Sequence, residues 1–167
     1  MHSSTQFSIR QANGSDIAEI AQFNIRMAME TENLSLLPEV ITQGVTNMID
    51  HPDRGFYLVV EANTPEGAEI AASLMVTTEW SDWRNGMFWW IQSVYVLPAW
   101  RRKGLYRMMY EKVKSLADED GNVCGFRLYV EHENEIAQHT YSSLGMVPTH
   151  YQLFEELRPD TIFSKAL

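Results

Sequence analysis

One cysteine, Cys124, stands in 167 residues. A lone cysteine excludes an internal disulfide and a cysteine-rich metal site, so a reducing cytoplasm is the expected compartment. Histidine does not take its place: His2, His51, His132, His139 and His150 show no metal-ligand spacing, and no metal is expected. No apolar run exceeds five residues, whereas a membrane span needs about 20, so no membrane partner is expected. Met1–Gln6 offers no apolar stretch that could serve as a secretory signal. Positive charge is also scarce, with 13 Lys and Arg against 22 Asp and Glu and a net charge of −9. That balance counts against nucleic acid as the main partner, because phosphate binding shows as a basic excess. There is no internal repeat, low-complexity tract or Pro/Gly-rich linker, and the expectation is a single domain over residues 1–167.

What is present is ordinary globular composition, 45% apolar and 21% charged. Phe7–Arg10 alternates as a short strand does. Ser15-Asp16 then opens a helix, with Asp16 and Glu19 at capping-box spacing and Ile17, Ile20, Ala21, Asn24 and Met27 or Ala28 inward. A second helix is expected from Pro38. Strands follow at Phe56–Val60, Glu69–Glu79 and Met87–Val96, the last apolar on both faces and so central. Beyond Pro98 the pattern predicts a helix from Gly104 to Ala117, a strand over Phe126–Val130, a helix over Glu135–Leu144 and a last strand over Tyr151–Leu157. Mixed α/β architecture is the fold class this order implies. Trp80, Trp83, Trp89 and Trp90 read as core and hairpin packing, and Cys124 as a buried small hydrophobe.

Four of the scarce basic residues crowd together at Arg101, Arg102, Lys103 and Arg107. They lie where a buried strand, Val94-Tyr95-Val96, meets a helix opened by Gly104 and Leu105. The first turn of a helix carries unpaired N–H groups and partial positive charge, and glycine lets an oxygen-rich ligand approach the backbone. The segment is therefore a candidate pyrophosphate cradle. By residue type alone it also reads as a glycine turn before a solvated basic helix start. Neither a P-loop nor a dinucleotide-binding glycine fingerprint is present.

Val96-x-Pro98-x-x-Arg101-Arg102-x-Gly104-Leu105 resembles the acetyl-CoA motif of the GNAT N-acetyltransferase superfamily. One strand later, Asn134-x-x-Ala137-x-x-x-Tyr141-x-x-Leu144-Gly145-Met146 resembles the same family's Asn-x-x-Ala-x-x-x-Tyr-x-x-x-Gly-Phe helix. Tyr106 departs from the family's small residue at the end of the loop, and Met146 from its Phe. The resemblance implies a GNAT-like acyl-CoA N-acyltransferase fold, a mixed sheet with splayed central strands and flanking helices. It implies acetyl-CoA as co-substrate and transfer of an acetyl group to a primary amine of a small molecule or peptide, by direct attack in a ternary complex.

By the same resemblance, the backbone of Val94, Tyr95 and Val96 pairs with the pantetheine arm. Arg101, Arg102, Lys103, Gly104, Leu105 and Tyr106 hold the pyrophosphate, and Asn134, Ala137 and Tyr141 line the other wall. Tyr141 falls where the family keeps its general acid, a phenol that stays protonated at neutral pH. For the base, Glu79 is the expectation, with water positioned by Gln92 as its rival; Asp82, Glu30 and Glu32 could also border the acceptor. Homodimers are common in the family, and transfer of a longer acyl group is a third reading, which the pocket beside Val94 would decide. A non-catalytic module that senses acyl-CoA is the competing reading. The segments expected to shape the acceptor site are 27–37, 79–86 and 150–157.

Overall fold

A computed structural model describes residues 5–166. The chain divides into two compact units, one of residues up to 127 together with those from 163 onward, the other of residues 128–162.

In the first unit, strand β1 (Gln6–Gln11) leads through a short 3-10 turn into helix α1 (Ile17–Glu32), a two-residue strand β2 (Ser35–Leu36) and helix α2 (Pro38–Asp50). A meander follows: β3 (Gly55–Thr64), β4 (Gly67–Ser81) and β5 (Gly86–Val96). Helix α3 (Leu105–Asp120) then leads to β6 (Val123–Arg127). The main sheet has the order β1-β3-β4-β5-β6, antiparallel except for the parallel β5–β6 pair. Ile20 and Ala21 of α1, Val45 of α2, and Tyr57 and Val59 of β3 make one buried cluster against the sheet. Inside α1, Asn24 donates to the Ile20 carbonyl at 3.0 Å and bonds Tyr57, whose phenol burial pushes up to about 12.

The start of α1 differs from the sequence expectation. The capping box is one turn earlier: Asn13 accepts from the Ser15 N–H, and Asp16 accepts from the Asn13 N–H. Asp16 is drawn away from Glu19 by Arg10, which donates to both its oxygens at 2.8 and 3.0 Å. Asp16 is 4% exposed, and the Arg10 guanidinium holds its carboxyl below the usual carboxylate range.

The strand expected at Phe126–Val130 is β6, three residues earlier, because its ladder with β5 ends at Arg127. Cys124 is exposed rather than buried, since β6 is the outermost strand of the sheet. Trp89 packs inside, whereas Trp80 and Trp83 project from the β4–β5 hairpin, Trp83 at 83% exposure.

In the second unit, helix α4 (Glu135–Ser143) is the regular element among the described residues. Tyr151–Leu157 is not a strand, because a strand requires a laddered neighbour and this unit supplies none. The last strand of the chain is instead β7 (Ser164–Lys165), paired with β2 in the first unit.

Candidate active site

Three backbone features of the first unit converge along β5. The first is a seam. Parallel pairing with β6 runs from Met87 to Trp90 and stops at Arg127, while β5 continues to Val96 paired with β4 on its other side. The edge from Ile91 to Val96 spans about 20 Å of strand. The second is a bulge. Ser73 faces Tyr95 and Met75 faces Gln92, so Ser93 and Val94 together oppose Leu74 alone. Ser93 takes φ +49°, which turns this backbone out of the ladder.

The third feature is the turn that closes the strand. Leu97 N–H is held by the Ala71 carbonyl at 2.9 Å, and Trp100 N–H by the Leu97 carbonyl at 2.8 Å. Arg102 and Gly104 are both left-handed, at φ +64° and +79°. The first bond of α3 runs from Met108 N–H to the Gly104 carbonyl, so the amides of Gly104, Leu105 and Arg107 precede the helical ladder. Gly104 caps the helix with no side chain, and a Cβ built there would meet nothing within 4 Å. Open space therefore fronts a cluster of backbone donors at the positive end of a helix dipole. Leu105, 2% exposed, anchors the turn to the core.

The side chains of the loop divide. Arg101 turns back on the protein: Nε donates to the Val96 carbonyl at 2.9 Å and Nη2 to Glu30 at 2.7 Å. Lys103 lies 5.8 Å over the Trp100 ring, and the Trp100 indole donates to Glu69 at 2.9 Å. Arg102 and Arg107 are exposed. Tyr106 does not crowd the turn, because its ring lies parallel to that of Tyr110 at 6.2 Å, along α3. The N-terminal end of α3 thus keeps its approach despite the bulky residue.

Among the candidates for the base, Gln92 donates to the Thr77 hydroxyl at 2.7 Å, which fixes its amide beside the bulge. Glu79 faces Phe88 in the β4–β5 register and forms an ion pair with Arg127. Four residue steps along the strand, about 13 Å, separate the Phe88 position from Gln92. Glu30 accepts from Tyr95 as well as Arg101, and these contacts, that of Arg101 foremost, lower its pKa. Asp82 accepts from the Trp83 N–H at the hairpin turn.

Asn134, Ala137 and Tyr141 come together in the second unit. The Asn134 side chain caps α4 by accepting from the Ala137 N–H at 3.1 Å. Tyr141 lies two turns on, and burial raises its phenol pKa. Glu30 and the Ser93 bulge were not assigned these roles by the sequence. The tie of Glu30 to Arg101 crosses 71 positions of chain, and Ser93 carries no local signal for a left-handed residue. Among the described residues no group of three or more His, Cys, Asp or Glu could hold a metal ion, and no helix is long and apolar enough to cross a membrane.

The model of the acetyltransferase (GNAT) family matches residues 21–146. Among solved structures, a possible acetyltransferase from Clostridium difficile 630 is 42% identical, with a TM-score of 0.81 over 91% of this chain and 97% of that one. Glucosamine-6-phosphate N-acetyltransferase from Arabidopsis thaliana is 21% identical, with a TM-score of 0.68 over 92% and 99%. An aminoglycoside N-acetyltransferase in complex with CoA is 14% identical, with a TM-score of 0.73 over 95% and 99%. The last two similarities speak for the fold. No curated protein sequence matches the chain.

Proposed function

Since the chain belongs to the GNAT acetyltransferase family, we propose that it transfers an acetyl group from acetyl-CoA to a primary amine of a small molecule or peptide, by direct attack in a ternary complex. The observation that carries this reading is the β5 edge that parts from β6 after Trp90 and ends at the left-handed Gly104 turn. A pantetheine arm needs a free strand edge to pair its amides, and a pyrophosphate needs a turn of unpaired N–H groups. Both lie in sequence on one strand and the helix that follows it.

In this reading the backbone of Val94, Tyr95 and Val96 pairs with the pantetheine. An N–H at the bulge polarises the thioester carbonyl and stabilises the oxyanion that forms there. The turn from Arg101 to Tyr106 holds the pyrophosphate, the amides of Gly104 and Leu105 making the direct contacts and Arg102 and Lys103 adding positive charge. Asn134 and Ala137 are the further cofactor-binding residues of this reading, on the motif that also holds Tyr141. The family model covers parts of both units, which supports treating the whole chain as one domain.

The amine must be neutral to attack. As its nitrogen bonds the acetyl carbon, the carbon–sulfur bond breaks and the thiolate needs a proton. Tyr141 donates it; burial keeps the phenol protonated through neutral pH. The amine's surplus proton leaves through a water oriented by Gln92. Glu79 is the weaker choice for this step, because its carboxylate is already engaged by Arg127. The site of action is the cytoplasm, which suits a chain whose one cysteine is exposed. Exposed Leu153 and Phe154 support the homodimer that is common in the family.

Calorimetry with acetyl-CoA beside a thiol-release assay on an amine panel tests the whole reading. Binding with acceptor-dependent release of CoA is the expected result. Binding without release across a broad panel would make the chain an acyl-CoA sensor instead.

A further inference from the structure

Between the bulge and the Gly104 turn lies a set of side-chain contacts for which acetyl transfer has no direct use. Glu30, near the C-terminal end of α1, accepts from the Tyr95 hydroxyl at 2.8 Å and from Arg101 Nη2 at 2.7 Å. The Arg101 guanidinium also lies 5.5 Å over the Tyr95 ring, and that ring packs against Phe23 of α1 at 5.2 Å. Tyr95 is 4% exposed and is the first residue back in register after the bulge. Arg101, whose Nε is bonded to the Val96 carbonyl, begins the turn that Gly104 completes. One carboxylate on a helix thereby ties the end of the strand to the start of the turn.

We propose that Glu30 is a positioning residue: through Tyr95 and Arg101 it sets the spacing between the Ser93–Val94 bulge and the Gly104 turn, and so selects for a ligand long enough to engage both. The inference rests on the reading of those two places as the thioester and pyrophosphate ends of the acetyl-CoA site. Charge alone argues for the opposite effect of Glu30. A carboxylate near an anion site repels the anion and cancels the charge of Arg101, so whatever Glu30 contributes to binding is geometric. A fixed spacing helps because a ligand held at two points gains the second contact without ordering the protein to make it.

The test is calorimetric titration of wild type, Glu30→Ala and Glu30→Gln with CoA and with its nucleotide half, adenosine 3′-phosphate 5′-diphosphate. Glu30 is exposed, so both variants are expected to fold, and circular dichroism verifies this. In Glu30→Ala the Kd for CoA is expected to rise about three- to ten-fold, as befits an exposed ion pair plus one hydrogen bond to a charged group. The Kd for the nucleotide half, which reaches the turn but not the bulge, should move less than about two-fold. Glu30→Gln, which keeps an acceptor for Tyr95, should recover part of the loss. In turnover, KM for acetyl-CoA should rise while kcat changes less than about two-fold. Unchanged or tighter CoA binding in Glu30→Ala would overturn the proposal, and equal weakening of both ligands would reduce Glu30 to a support of the turn alone, which also overturns it. Failure of wild type to bind CoA would instead overturn the acetyl-CoA reading itself.

Discussion

Arg127, the last residue of β6, holds Glu79 of β4 in an ion pair that passes beside the Phe88 ring, 3.7 Å from the guanidinium carbon. The pair sits where β5 and β6 part company, since Arg127 is also the last residue laddered to β5. A carboxylate in that position braces the seam. Glu79→Gln is therefore expected to lower the melting temperature by a few degrees while leaving kcat within about three-fold, because a part-exposed pair contributes roughly 1 kcal/mol or less. A general base would show otherwise: a fall of about 10²-fold or more. Steady-state kinetics and thermal denaturation of the one variant decide between them.

Gly104 offers a sharper test of the turn. Any L-residue at φ +79° is strained by about 1–2 kcal/mol, yet a Cβ there touches no protein atom. Gly104→Val should thus fold with a modestly lower melting temperature and bind CoA at least about ten-fold more weakly, its side chain occupying the space before the helix amides. Affinity equal to wild type would show that the turn is not a phosphate cradle.

Tyr141→Phe removes a hydroxyl and little else. The rate of acetyl transfer should drop by about 10²-fold, while the Kd for acetyl-CoA holds steady. Because burial raises the Tyr141 pKa above 10.0, the phenol stays protonated over the whole neutral range. Any loss of rate from its ionisation should therefore come at higher pH than for an ordinary phenol. A wild-type rate in the variant would remove Tyr141 as the proton donor.

Arg10 and Asp16 should govern the acid stability of the first unit. The Asp16 pKa is lowered from 3.8 in the folded state, chiefly by its hydrogen bonds from Arg10. The folded chain therefore binds the proton less readily than the unfolded one. Its stabilisation is complete above the unfolded pKa and disappears as pH falls below about 4 toward the folded value. Asp16→Asn should lower the melting temperature at pH 7 and show a weaker further decline below pH 4 than wild type does. Parallel declines in the two proteins would assign the acid sensitivity to other carboxylates.

Much of this protein was legible in order along the chain. The run Met87–Val96, apolar on both faces, marked β5 as central, Pro38 opened α2, and the basic turn around Gly104 stood out because the remainder of the chain is acidic. Those signals are local: a glycine that must be left-handed, a proline that fixes φ, an apolar period of two or 3.6. Asp16 was misread because a capping residue and an ion-pair partner have the same side chain, and Arg10 claimed it first. Tyr151–Leu157 was misread because local residue preference does not show that a laddered neighbour exists.

The amino-acid sequence by itself determined the family, the succession of the longer elements and the place of the basic turn around Gly104, since each of these is written in residues close together. Tertiary structure alone decided that β5 breaks with β6 after Trp90, that Ser93 bulges, and that Arg101 turns inward to Glu30 and Tyr95. Register, bulges and ion pairs are properties of two strands or a strand and a helix at once, and the partners lie tens of residues apart. The net charge of −9 that counted against nucleic acid told nothing of this arrangement, in which one acidic residue neutralises one of the few arginines and sets it in place.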